Sequence, residues 1–219
     1  MRRFGCMVAM GLSLALLLPS TGTAQEAASG WLALQDATGD LHDFATGEPF
    51  EGPGYMDLTG LDVSTDGGQL TVRFHVAEAV PEAPDPLYTT VDYILNIDTD
   101  GDGFQNYHIQ IGSEDGWQAR LFDHDTVFET ELGEAVVVDD SLVAMVLLSE
   151  LGSPTDMRFQ GLMASLDFPD PTGDPLEFTE WEDLMPDGVG EWRAFGEYDV
   201  PAPDDQVAVP GASPTVEPA

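Results

Sequence analysis

Asn96-Ile-Asp-Thr-Asp-Gly-Asp-Gly-Phe-Gln-Asn-Tyr-His-Ile-Gln-Ile-Gly112 sets three aspartates at alternate positions, with a glycine after each of the last two. Two folds compete for this stretch. Between helices it is half of an EF-hand; between strands it is a loop of a β protein. Asp98, Asp100, Asp102 and Gly103 match positions 1, 3, 5 and 6 of a calcium loop, and the Phe104 backbone carbonyl falls at position 7. Position 12, where an EF-hand needs a bidentate Glu, is Ile109. The flanks Tyr93–Ile97 and Tyr107–Ile111 alternate like strands. The EF-hand is therefore excluded, and the loop is expected to bind calcium within an all-β fold, with further ligands drawn from elsewhere. Gly101 and Gly103 permit the positive φ that such a tight loop needs.

Working outward, the same period of two recurs. In Gln69-Leu-Thr-Val-Arg-Phe-His-Val76, Leu70, Val72, Phe74 and Val76 share one face, and Gln69, Thr71, Arg73 and His75 the other. Asp66-Gly67-Gly68 precedes it as a turn, and Leu58–Val63 reads as its hairpin partner. Further strands are expected at Thr89–Ile97, Tyr107–Ile111, Trp117–Phe122, Ala135–Val138, Leu142–Leu148 and Arg158–Leu166. The helical signal is one turn at Ser149–Gly152, with Ser149 as N-cap and Gly152 as the stop. These short strands and their Gly/Asp/Pro turns predict an antiparallel β-sandwich, jelly-roll or immunoglobulin-like, with very little helix.

Met1-Arg2-Arg3, an apolar run from Phe4 to Leu18, and small residues ending at Ala24 form the pattern of a secretory signal peptide. Residues 1–24 are expected to be cleaved, which makes the protein secreted or periplasmic. Residues 25–29 are expected to be loose, 30–198 to form the sandwich, and 199–219, rich in Pro, Ala and acids, to be a disordered tail. The one cysteine, Cys6, lies inside the signal, so the exported chain has neither disulfide nor thiol ligand.

The charge is extreme. Beyond residue 24 the chain carries 41 acidic residues against four arginines, a net of −37, and no lysine occurs anywhere. Such a surface repels nucleic acid and anionic membranes and attracts cations. The acids are spread along the chain, which points to a salt-adapted, halophilic surface for most of the charge. Absence of lysine excludes Schiff-base chemistry. No His-Glu-x-x-His and no Gly-x-Ser-x-Gly is present.

The segments Tyr55–Ser64, Asp66–Val76, Tyr93–Gly103 and Tyr107–Ile111 together resemble the DOMON-like, carbohydrate-binding family 9-like β-sandwich domains of exported bacterial and archaeal proteins. Ser141–Gly152 is similar to their late strand with its Leu-Gly turn, and Asp36-Ala-Thr-Gly-Asp40 to their early Asp–Gly–Asp turn. The likeness spans most of residues 31–190. It implies a jelly-roll-like sandwich with structural calcium at Asp98, Asp100 and Asp102, and Asp36 and Asp40 completing the shell. It also implies a sugar-binding face, although no counterpart of the paired sugar-clamping tryptophans is found.

Of the four tryptophans, Trp117 lies in a strand pattern and is expected in the core. Trp181, flanked by acids in Thr179–Asp183, is the candidate for an exposed sugar platform. The resulting expectation is a non-catalytic, calcium-stabilised module whose partner is a polysaccharide or a cell-surface component. A carbohydrate-active hydrolase on the same fold and an acidic structural protein without a specific ligand are the alternatives.

Overall fold

The computed structural model describes residues 30–66, 68–82, 90–114, 116–167, 179–185 and 191–195. The expected signal peptide, the segment 25–29 and the tail lie outside the described residues. The strands, in chain order, are β1 (Trp31–Gln35), β2 (His42–Asp43), β3 (Leu58–Asp66), β4 (Gln69–Val76), β5 (Thr90–Asp98), β6 (Tyr107–Gly112), β7 (Gln118–Asp123), β8 (Phe128–Glu134), β9 (Val136–Val138), β10 (Ser141–Leu147), β11 (Arg158–Asp167), β12 (Thr179–Met185) and β13 (Arg193–Ala194). The helical element among the described residues is one 3-10 turn, Gly54–Met56.

Two antiparallel sheets pack face to face. One runs β1-β3-β4-β10-β9, and the other β2-β12-β11-β5-β6-β7-β8, with β13 also on β11. The chain is an all-β sandwich, as its period of two predicts. On β4 the inward Leu70, Val72, Phe74 and Val76 are all buried, and the intervening residues are half-exposed. Across the sandwich the Phe74 ring meets Tyr93 of β5 at 5.7 Å. Tyr93 in turn packs against Trp117, and its hydroxyl donates to the Tyr55 carbonyl. The indole N–H of Trp117 donates to the Pro81 carbonyl at 2.7 Å, so this buried ring leaves no polar atom unpaired. Phe74→Ala at the centre of this cluster costs about 3–5 kcal/mol by cavity formation.

Five strands escape the sequence patterns, two of them, β2 and β13, only two residues long. β8, Phe-Glu-Thr-Glu-Leu-Gly-Glu, is exposed on most positions and ends its sheet, so it carries no apolar face to read. β1 is short, with Leu32 and Leu34 inward. β12 alternates inward Asp183 and Met185 with half-buried neighbours, and the carboxylate breaks the apolar rhythm. At Ser149–Gly152 the chain makes overlapping turns, Leu151 N–H to Leu148 O at 3.2 Å and Gly152 N–H to Ser149 O at 3.4 Å, instead of a helix. Gly152 closes them at φ 75°.

Candidate metal centre

Asp98 ends β5 and Tyr107 begins β6, so the aspartate-rich stretch is the loop between two paired strands. Ligand oxygens of Asp98, Asp100 and Asp102 lie within 4.8 Å of one another. Two oxygens each ~2.4 Å from a calcium ion are at most ~4.8 Å apart, so the three carboxylates fit one coordination sphere. The loop is built by its own aspartates. Asp98 Oδ1 accepts the N–H of Asp100 (3.1 Å) and of Gly101 (2.6 Å), and Oδ2 that of Gly103 (3.1 Å). Asp100 Oδ1 accepts Asp102 N–H at 3.2 Å, and Asp102 Oδ1 accepts Phe104 N–H at 2.8 Å. Gly101 and Gly103 take φ of 77° and 86°, the left-handed region that a side chain would disfavour. Asn106 closes the base by accepting both Thr99 N–H and Thr99 Oγ1–H. Burial pushes the Asp98 carboxyl up, but the N–H groups of Gly101, Gly103 and Asp100, with the charge of Arg158, outweigh it and hold it below its ordinary value. Asp100, Asp102 and Phe104 are exposed.

Asp36 and Asp40 do not complete this shell. They converge instead with Asp183, the three offering ligand oxygens within 4.8 Å of one another. Asp183 pairs with Met163 on β11, and Met163 with Tyr93 on β5, five residues from Asp98. Two strand spacings and five residue rises place the clusters on the order of 15–20 Å apart. The reason is topological: β1 belongs to the sheet opposite the one that carries the Asp98 loop.

A fourth carboxylate, Asp57, lies beside the second cluster. Its Oδ2 accepts the N–H of Gly39, between Asp36 and Asp40, at 2.8 Å. Its Oδ1 is buried without a hydrogen-bond partner, and the residue is 8% exposed. Next to it, Leu58 N–H donates to Asp183 Oδ2 at 2.6 Å. Asp183 is 1% exposed. Burial, with Asp40, Asp36 and Asp57 adding repulsion, pushes its carboxyl up to about 8 against the pull of the Leu58 N–H. Burial raises the Asp57 carboxyl as well. Neither Asp57 nor Asp183 was legible as a site residue, because they stand apart in sequence and no local motif joins them.

The histidines sit in pairings of their own. His75 bridges Asp62 (2.9 Å) and Ser141 (3.0 Å), and His42 Nδ1–H donates to the Asp40 carbonyl at 3.1 Å. His108 Nδ1 and His124 Nε2 are 2.9 Å apart. Burial, then the His124 charge, brings the His108 imidazole down to about 4. Trp181 is half-buried where an exposed platform is expected. It stacks on Phe50 at 4.3 Å and 19° and packs against the core, because β12 carries β2 on its outer edge. No helix among the described residues is long and apolar enough to cross a membrane.

No protein-family model, curated protein or solved structure matches this chain.

Proposed function

We propose that this chain is an exported, non-catalytic β-sandwich module of the DOMON-like, carbohydrate-binding family 9-like kind. A structural calcium ion in the Asp98–Asp102 loop stabilises it, and it acts at the cell surface or on a polysaccharide. The observation that carries the reading is the convergence of Asp98, Asp100 and Asp102 within one coordination sphere, on a loop whose two strands are anchored in the core. The donor set is all oxygen, which suits a hard cation that takes six to eight ligands, and the Phe104 carbonyl is available in sequence as a further one. Calcium there offsets the mutual repulsion of three carboxylates and ties β5 to β6, a stiffening that a chain without disulfides lacks otherwise. For the sugar partner, the Phe50–Trp181 stack is the aromatic surface on which the reading rests. Loss of retention on insoluble polysaccharide in Trp181→Ala, with an unchanged melting curve, would support that role.

A specific observation favours the salt-adaptation alternative. Both Asp98 oxygens already accept backbone N–H groups, so the loop holds its shape by hydrogen bonds alone. Titration calorimetry with calcium after chelator treatment, in about 1 M NaCl where diffuse attraction is screened within ~3 Å, separates the two. A stoichiometric site that Asp100→Asn abolishes supports the loop reading. Equal stoichiometry and affinity in wild type and Asp100→Asn sinks it.

A further inference from the structure

We infer that Asp36, Asp40 and Asp183, with Asp57 beside them, form a second calcium site, separate from the Asp98 loop, that clamps the two sheets together where β3 faces β12. The ligands come from both layers. Asp36 and Asp40 follow β1, Asp57 immediately precedes β3 in the same sheet, and Asp183 lies on β12 in the other. An ion held by Asp36, Asp40 and Asp183 therefore ties the sheets across the sandwich, with the Asp57 carboxylate beside it. The Leu58 N–H to Asp183 bond already joins the same two strands.

Two independent observations carry the assignment. The first is distance: the oxygens of Asp36, Asp40 and Asp183 lie within 4.8 Å of one another, the span of a single calcium shell. The second is Asp57. Its side chain is more than nine-tenths buried, and one oxygen is fixed on Gly39 N–H, inside the Asp36–Asp40 loop. The other oxygen of that carboxylate is buried with no hydrogen-bond partner. A buried carboxylate oxygen is ordinarily satisfied, and where the protein supplies no donor an ion or water must. Ionised neighbouring carboxylates can donate nothing, and a cation among them both satisfies such an oxygen and offsets their mutual repulsion. Among the described arginines, Arg120 pairs with Glu114 and Glu129 and Arg193 with Glu191, while Arg158 stands opposite Asp98 and Arg73 opposite Asp62 in the strand register. Oxygen-only donors from dispersed chain segments suit calcium, which tolerates irregular geometry, better than magnesium, which demands an octahedron.

The sequence pattern agrees with a ligand role. β12 carries Asp183 at an inward position where its neighbour Met185 is core, a local violation of the apolar rule of the kind that marks a functional position. His42, which hydrogen-bonds the Asp40 carbonyl, supports the loop from outside the donor set.

The test uses the purified protein, stripped with chelator and titrated with calcium chloride in about 1 M NaCl. Wild type is compared with Asp57→Asn, Asp183→Asn and Asp100→Asn by calorimetry and thermal melting. Asp57→Asn and Asp183→Asn are each expected to weaken one calcium site by at least about tenfold and to remove a melting shift of about 5–10 °C at hundredfold excess over Kd. Asp100→Asn is expected to leave that site intact, so failure of the loop reading and failure of this one are distinguishable. In chelator, Asp183→Asn is expected to melt no lower than wild type, because it removes a buried charge and keeps an acceptor for Leu58 N–H. A purely structural carboxylate would instead make that variant less stable with and without calcium. Calcium affinity and melting shifts unchanged in both Asp57→Asn and Asp183→Asn would overturn the assignment and leave the cluster held together by protons.

Discussion

The two aspartate clusters have the same composition and opposite physics. The Asp98 loop lies at the rim, is served by the backbone N–H groups of five successive residues, Asp100 to Phe104, and has Arg158 beside it. Its central carboxyl is held below the ordinary value, so the charge is comfortable there without any ion. The Asp36–Asp40–Asp57–Asp183 cluster lies between the sheets. Asp183 accepts the Leu58 N–H and Asp57 that of Gly39, and burial pushes both carboxyls up. The calcium-like motif in the sequence therefore marks the cluster with the richer supply of N–H donors, and the cluster with the poorer supply carries no motif. Hydrogen-bond supply, more than the number of acids, sets in which direction each carboxyl departs from its ordinary value.

The comparison breaks first on calcium itself. Melting in saturating calcium should fall furthest for Asp57→Asn and Asp183→Asn, by about 5–10 °C, and by less for Asp100→Asn. The reverse order, read by calorimetric or spectroscopic melting, would make the rim loop the principal site.

Acidity should separate the clusters by sign, measured in chelator as the stability difference between wild type and variant. For Asp183 the folded value, about 8, stands above the unfolded 3.8. The native state then binds more protons between those values, and wild type should lose stability relative to Asp183→Asn as pH rises from about 4 to about 8, by at most ~1.4 kcal/mol per pH unit. For Asp98 the folded value stands below 3.8. Its contribution is present above that pH and is lost on acidification through the folded value, so wild type should lose its advantage over Asp98→Asn as pH falls. Slopes of the same sign in denaturant unfolding at several pH values would contradict the contrast.

A smaller effect should come from Asp98→Ala. It strands the N–H groups of Asp100, Gly101 and Gly103, at a cost of about 1–3 kcal/mol even in chelator, because the loop is built on that carboxylate. Urea unfolding in chelator measures it, and no loss there would mean that the loop geometry is set by the strands alone. Smallest of all should be Arg158→Gln. The side chain is exposed, and its pairing with the loop is worth under about 1 kcal/mol and fades with salt. A loss that persists in about 1 M NaCl would show packing in place of charge.

Much of the sandwich was legible because its core strands advertise themselves. Leu70, Val72, Phe74 and Val76 carry their inward face in the letters, and Val91, Tyr93, Leu95 and Ile97 do the same on β5. β8 was illegible because most of its side chains are exposed, and a strand without a buried face has no period to read. The half-buried setting of Trp181 could not be read from its acidic neighbours. Glu180 and Glu182 alternate with it along β12, so their polarity says nothing about the face that meets Phe50.

The sites divide along the same line. Asp98, Asp100 and Asp102 are contiguous, and a loop of alternating carboxylates and glycines brings them together by local geometry alone, which a single sequence determines. Asp36 and Asp40 could be noticed but not placed. Asp57 and Asp183 stand 126 residues apart and on opposite sheets, joined across the sandwich by the Leu58 N–H bond to Asp183. Only the packing of β3 on β12 sets which acid meets which. That packing is a sum of many weak apolar contacts distributed over both sheets, so no short stretch of the chain encodes it.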